Sequence, residues 1–138
     1  MGQRIVPFIG YEDSTAAIEW LGTAFGFVEN ASERHEEDSV VTHAELDLEG
    51  ATVYLSTPAG YASPRRIRGE SELARRAYDN AWVIDGYFVE VNDVEAHHDR
   101  AVAAGATILR EPEEPGIGFR IYTAEDPEGH RWMFGQRL

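Results

Sequence analysis

The sequence predicts an α+β fold: two βαβββ modules whose strands form a curved mixed sheet cup, with helices on its outer face. Three observations predict it. The order β-rich run, aspartate, amphipathic helix, glycine occurs twice, about 80 residues apart. Each copy is followed by further extended segments. The chain of 138 residues, without a cysteine, is long enough to bury a core unaided by disulfides.

The first copy starts with Ile5 to Tyr11. Asp13-Ser14 then opens a helix that carries Ile18, Leu21 and Phe25 on one face, and Gly26 closes it. In the second copy, Tyr87 to Val91 precedes Asp93, and Val94, Ala101 and Val102 line the buried face before Gly105. From capping aspartate to closing glycine is 13 residues in the first copy and 12 in the second. Two copies suit paired sheets, because a solenoid needs three or more repeats to bury a continuous core.

Strands are expected at Phe27 to Ala31, Val40 to Leu48 and Thr52 to Ser56, and again at Thr107 to Arg110, Phe119 to Ala124 and Arg131 to Phe134, with Glu49-Gly50 and Glu128-Gly129 as hairpin turns. From Thr42 the chain alternates: His43, Glu45 and Asp47 on one face, Ala44, Leu46 and Leu48 on the other. A sheet that packs helices on one side and carries polar groups on the other curls into a cup able to hold a small molecule. One domain is expected over residues 1–138: module one at about 4–57, a connection at about 58–81, and module two at about 82–138.

Composition removes several functions. All 12 basic residues are arginine, so there is no lysine for a Schiff base or a phosphate-binding loop. The absence of cysteine excludes thiolate ligands and a cysteine nucleophile. A formal net charge of -13 opposes nucleic-acid binding and suits a cationic or neutral small ligand. The start, MGQRIVPFIG, does not read as a signal peptide, and no stretch approaches membrane-spanning length, so a cytoplasmic location without membrane attachment is expected.

The connection, Pro58 to Ala81, holds Arg65, Arg66, Arg68, Arg75 and Arg76, a basic island expected to pack against acidic surface, and a short helix is expected at Glu72 to Tyr78.

Several stretches together resemble a known family. Val6-Pro7-Phe8-Ile9 through Asp13, with Ala17-Ile18-Glu19-Trp20-Leu21 and Ala24-Phe25-Gly26-Phe27, is similar to the first module of the vicinal oxygen chelate superfamily, which contains glyoxalase I, dioxygenases and bleomycin-resistance proteins. Val91-Asn92-Asp93-Val94 through Ala103-Ala104-Gly105-Ala106 resembles its second module, and Glu125-Asp126-Pro127-Glu128-Gly129-His130-Arg131-Trp132 its terminal hairpin. In the metal-dependent members four strand positions hold a divalent ion. The resemblance places these at Val6, Tyr54 or Leu55, Gly86 and Met133, which are aliphatic, aromatic, glycine and thioether groups. It therefore implies the metal-free branch: a protein without metal or other cofactor that binds a small molecule in the cup of a homodimer.

Matching the strands by phase turns Phe8, Phe88, Glu90, Arg131 and Met133 toward the cup. Phe8, Phe88 and Met133 offer flat or adaptable apolar contacts, and Glu90 an anchor for a cation. With His43, Glu45 and Tyr54 they form the expected ligand-binding set. No catalytic residue is assigned. The expected function is capture of a small amphipathic molecule, cationic or neutral. The alternative is a metal-dependent lyase, isomerase or dioxygenase with ligands relocated to His43, Glu45 and Glu90. One of His97 and His98 is expected to be partly buried beside Val94 and Ala101, His130 to bond within its turn, and Trp82 to reach the interface or the cup.

Overall fold

The computed structural model describes residues 2–81 and 85–138. Strand β1 (Phe8–Gly10) runs into helix α1 (Ser14–Phe25). Asp13 caps the helix by accepting from the Ala16 amide at 3.0 Å, and Gly26 ends it in the left-handed region at φ 83°. The helix buries Ile18, Leu21 and Phe25, each contributing about 1.5–3 kcal/mol. Strands β2 (Val28–Glu29), β3 (His35–Glu37), β4 (Val40–Leu48) and β5 (Ala51–Ser56) complete module one.

The connection folds as α2 (Pro64–Glu70) and α3 (Glu72–Tyr78), each capped by a serine, Ser63 and Ser71. Module two comprises β6 (Gly86–Glu90), α4 (Val94–Ala103), β7 (Thr107–Glu113), β8 (Phe119–Glu125) and β9 (Arg131–Arg137). Asp93 caps α4 through the Ala96 amide at 3.0 Å, matching Asp13.

The strands form two open sheets, ordered β1-β5-β4-β2, with β3 beside β4, and β6-β9-β8-β7. In each, the strand before the helix lies parallel to the last strand of its module, Phe8 opposite Tyr54 and Phe88 opposite Met133. The duplication is thus present in the topology. The cup is lined by two sheets rather than one continuous one, since no backbone pairing joins β1 to β6 among the described residues.

Two details depart from expectation. Strand β3 is additional: Asp38 and Ser39, at φ 52° and 65°, turn the chain into β4 without the glycine that usually marks such a hairpin. In α4, Val102 is half exposed, whereas His97, as expected of one of the two histidines, is buried beside Val94 and Ala101. Its Nε2 donates to the Phe25 carbonyl at 2.7 Å, so Nδ1 accepts the Tyr122 hydroxyl at 2.6 Å, and both ring nitrogens are satisfied.

One hydrophobic cluster spans both modules, from Ile9, Leu21 and Leu55 to Val94, Trp132 and Phe134. The turn before β9 bonds across the modules. Asp126 accepts from Tyr11 Oη at 2.6 Å and Trp132 Nε1 at 3.1 Å, while Glu128 accepts the amides of Glu12 and Asp13. His130 bonds within its turn through its amide, which donates to Asp126 Oδ1 at 3.0 Å, and its ring Nε2 also reaches module one at the Gly10 carbonyl, 2.7 Å away.

Candidate functional site

Alternation decides which side chains leave the core. Ile9, Val53, Leu55, Ala44 and Leu46 pack toward the helices, and Phe8, Tyr54, His43 and Glu45 point the other way, onto the open face of module one. There the rings meet: His43 lies 4.9 Å from Tyr54 and 5.8 Å from Phe8 between centroids, and Phe8 lies 6.0 Å from Tyr54 at a near-perpendicular angle. His35 of β3 joins at 6.0 Å from His43. Sequence reading missed His35 because it missed the strand that carries it. Glu45 Oε2 is 2.9 Å from His43 Nε2, setting a carboxylate beside the ring cluster.

Phe8 remains 57% exposed and Phe88 42%, although both are large and apolar. On module two Phe88 packs edge-on against Phe119 at 5.2 Å, and Met133 pairs with it across β6 and β9. Gly135 makes room for that ring, since a Cβ there would lie 2.6 Å from Phe88 Cζ. Phe119 is a second ring that alternation alone did not single out.

Two expected residues are committed elsewhere. Arg131 starts on the open face but is 2% exposed: it donates to Glu125 Oε1 at 3.4 Å, to the Asn80 carbonyl at 2.8 Å and to the Tyr78 carbonyl. Arg68 shares Glu125 at 2.6 Å, and both guanidinium groups lie 5.1 Å from the Tyr78 ring centroid. Arg131 therefore fastens the connection to β9 and presents no free donor to a ligand. Glu90 is exposed and accepts from Arg137 at 2.9 Å, so it does not join His43 and Glu45. Trp82 lies outside the described residues. Arg66 of the basic island packs against acidic surface as expected, at Glu12, whose carboxyl it lowers to about 2 through their hydrogen bonds.

Between the modules a groove of about 490 Å³ is lined by residues 4–7, 50–53 and 86–89. Val6 and Gly86 are among them, so two of the four positions that hold metal in the resembled family converge on it. Among the described residues, no histidine, aspartate, glutamate or cysteine lines this groove. On β5, Leu55 is in the core and Tyr54 on the open face. No cluster of three or more histidine, aspartate, glutamate or cysteine side chains able to hold a metal occurs among the described residues. The donor set therefore does not fit the divalent ion of the metal-dependent relatives. A wider depression of about 630 Å³ lies beside the β3–β4 hairpin, bordered by Glu37, Asp38, Thr42 and Tyr61. Burial, and then the Glu128 charge, push the Tyr61 hydroxyl up to about 12.

The family model described as Glyoxalase/Bleomycin resistance protein/Dioxygenase superfamily matches residues 4–134. The chain belongs to this superfamily. An uncharacterized protein of Mycobacterium bovis is 31% identical over 130 residues, covering 94% of this chain and 80% of its own. Among solved structures, TioX from Micromonospora sp. ML1 superposes with a TM-score of 0.71 at 27% identity, over 99% of this chain and 97% of that one. A glyoxalase/bleomycin resistance protein/dioxygenase family enzyme from Burkholderia phytofirmans PsJN gives 0.64 at 21%, over 95% of each chain. The chain has an α+β architecture, and no helix among the described residues is long and apolar enough to cross a membrane.

Proposed function

We propose that this superfamily member binds a small amphipathic molecule, with a cationic or hydrogen-bond-donating end, in the cup and without a metal. The observation that carries this reading is the ring cluster Phe8, His43 and Tyr54, set beside Glu45 and left partly exposed on the open face. Aromatic faces attract cations and flat apolar groups, and a carboxylate adds charge complementarity. Phe88, Phe119 and Met133 supply apolar contacts from module two. The protein acts in this reading as a homodimer, a two-fold partner completing the cup.

Thermal-shift and calorimetric titrations with aromatic amines and their neutral and anionic analogues test it. Amines should stabilise the protein most, and Tyr54→Ala and Glu45→Gln should each weaken binding about tenfold, equivalent to about 1.4 kcal/mol. No stabilisation by any compound, with turnover instead, overturns it.

The His43–Glu45 pair favours one competing reading, acid-base or relocated-metal chemistry by a lyase, isomerase or dioxygenase. Glu90, needed to complete that set, is held by Arg137. Stoichiometric metal in the purified protein, lost on His43→Ala, would favour the enzyme.

A further inference from the structure

We infer that the outer, helix-side surface holds a second binding site, distinct from the cup, for a small uncharged aromatic or branched hydrocarbon group. The site is a partly enclosed cavity of about 170 Å³ between α1 and the turn before β9. Among the described residues its apolar walls are Tyr11, Ala16, Ala17, Trp20, Leu21 and Pro127.

The space has a local cause. Between Trp20 and the turn, helix α1 carries the small side chains of Ala16 and Ala17, while Glu128 holds the turn at a fixed distance by accepting the Glu12 and Asp13 amides at 2.6 and 3.0 Å. The walls are also fixed. Trp20 packs edge-on against Phe25 at 4.9 Å, and the Tyr11 hydroxyl is tied to Asp126. The cavity is thus preformed, and a ligand need not order it.

Three carboxylates border the cavity, yet each is already occupied. Asp13 accepts the Ala16 amide, and Glu128 the two amides just named. One Asp126 oxygen accepts from Tyr11 and Trp132, the other from the Glu128 and His130 amides. What faces the interior is carbon, which a neutral apolar group covers without leaving a polar atom unpaired. The surrounding negative charge selects against anions. The volume is close to the ~150 Å³ of an apolar protein cavity that accepts benzene, so one monocyclic ring fills it.

Toluene is the probe, with benzoate as the charged control. Ligand-observed and amide-detected NMR on the wild-type chain should show saturable one-to-one toluene binding that shifts the Trp20 indole resonance, with benzoate at least tenfold weaker. Ala16→Leu fills the mouth at an exposed helix position that leucine favours; it should weaken toluene at least tenfold with unchanged circular dichroism. Tyr54→Ala, in the cup, should leave toluene affinity unchanged. No saturable binding, equal binding of toluene and benzoate, or insensitivity to Ala16→Leu each overturns the site. Loss with Tyr54→Ala alone would move toluene to the cup and overturn it too. The Trp20 shift reports the location even if a variant folds poorly.

Discussion

Tyr11 donates its hydroxyl to Asp126 across 2.6 Å, joining the start of module one to the turn before the last strand of module two. Both groups are fully buried, so the bond forms where a lost partner cannot be replaced by water. Burial, reinforced by the Asp126 charge, raises the phenol well above its ordinary range and keeps it a donor. Tyr11→Phe should lower stability by about 2 kcal/mol, read from the midpoint of urea unfolding, because Asp126 keeps the Trp132 indole but loses a strong bond. An unchanged midpoint would mean that the joint does not depend on it.

Glu125 carries the other joint. It is the acceptor for both Arg68 and Arg131, and Arg131 in turn holds the carbonyls of Tyr78 and Asn80. Glu125→Gln leaves a buried guanidinium without its counter-ion, a change that costs about 3–5 kcal/mol in comparable buried pairs. The connection should then loosen. Trypsin should cut faster at Arg75 and Arg76, which are exposed on α3, than in the wild-type chain. Equal cutting rates would show that the connection is held by other contacts.

Much of this architecture is legible in the sequence, because it rests on short-range chemistry. Asp13 and Asp93 read as caps since their carboxylates reach amides three residues on, and the alternation of β4 separates His43 and Glu45 from Ala44 and Leu46. Strand phase also turned Phe8 and Phe88 out of the core. What phase cannot supply is what lies on top. Arg131 has the predicted face, but backbone carbonyls contributed by the connection, more than 50 residues earlier, close over it. A buried histidine beside Val94 and Ala101 was legible, but not the exposure of Val102 or the two bonds that let His97 be the one buried, since neither Phe25 nor Tyr122 is near it in sequence. Strand β3 was hidden by a turn of Asp38 and Ser39, residues with no strong hairpin signature.

Gly135 bears on the open face of module two. An alanine Cβ there would come within 2.6 Å of Phe88 Cζ and 3.4 Å of Phe119 Cδ1. The nearest atom is the end of a half-exposed ring, so the ring yields before the backbone does. Gly135→Ala should cost about 1 kcal/mol and swing Phe88 off Phe119. Loss of the ring-to-ring nuclear Overhauser contacts, with the strand amide shifts conserved, is the expected outcome. Retained contacts would mean that β9 had moved instead.

His97 gives the fold a pH dependence whose sign follows from its surroundings. Desolvation lowers its pKa, outweighing the opposite pull of the Phe25 carbonyl and of Glu49, while Arg100 lowers it further. In the unfolded chain the imidazole takes up its proton near its ordinary value of about 6.5. Between the two values the unfolded state binds more protons than the folded state. Stability therefore falls as pH drops through about 6.5 and levels off only below the folded value. The urea midpoint of the wild-type chain should be lower at pH 5.5 than at pH 7.5. In His97→Gln, whose amide can still donate to the Phe25 carbonyl, that drop should shrink even though the variant starts from lower stability. An equal drop in both proteins would assign the effect to other titrating groups, and a rise in wild-type stability on acidification would reverse the sign argued from burial.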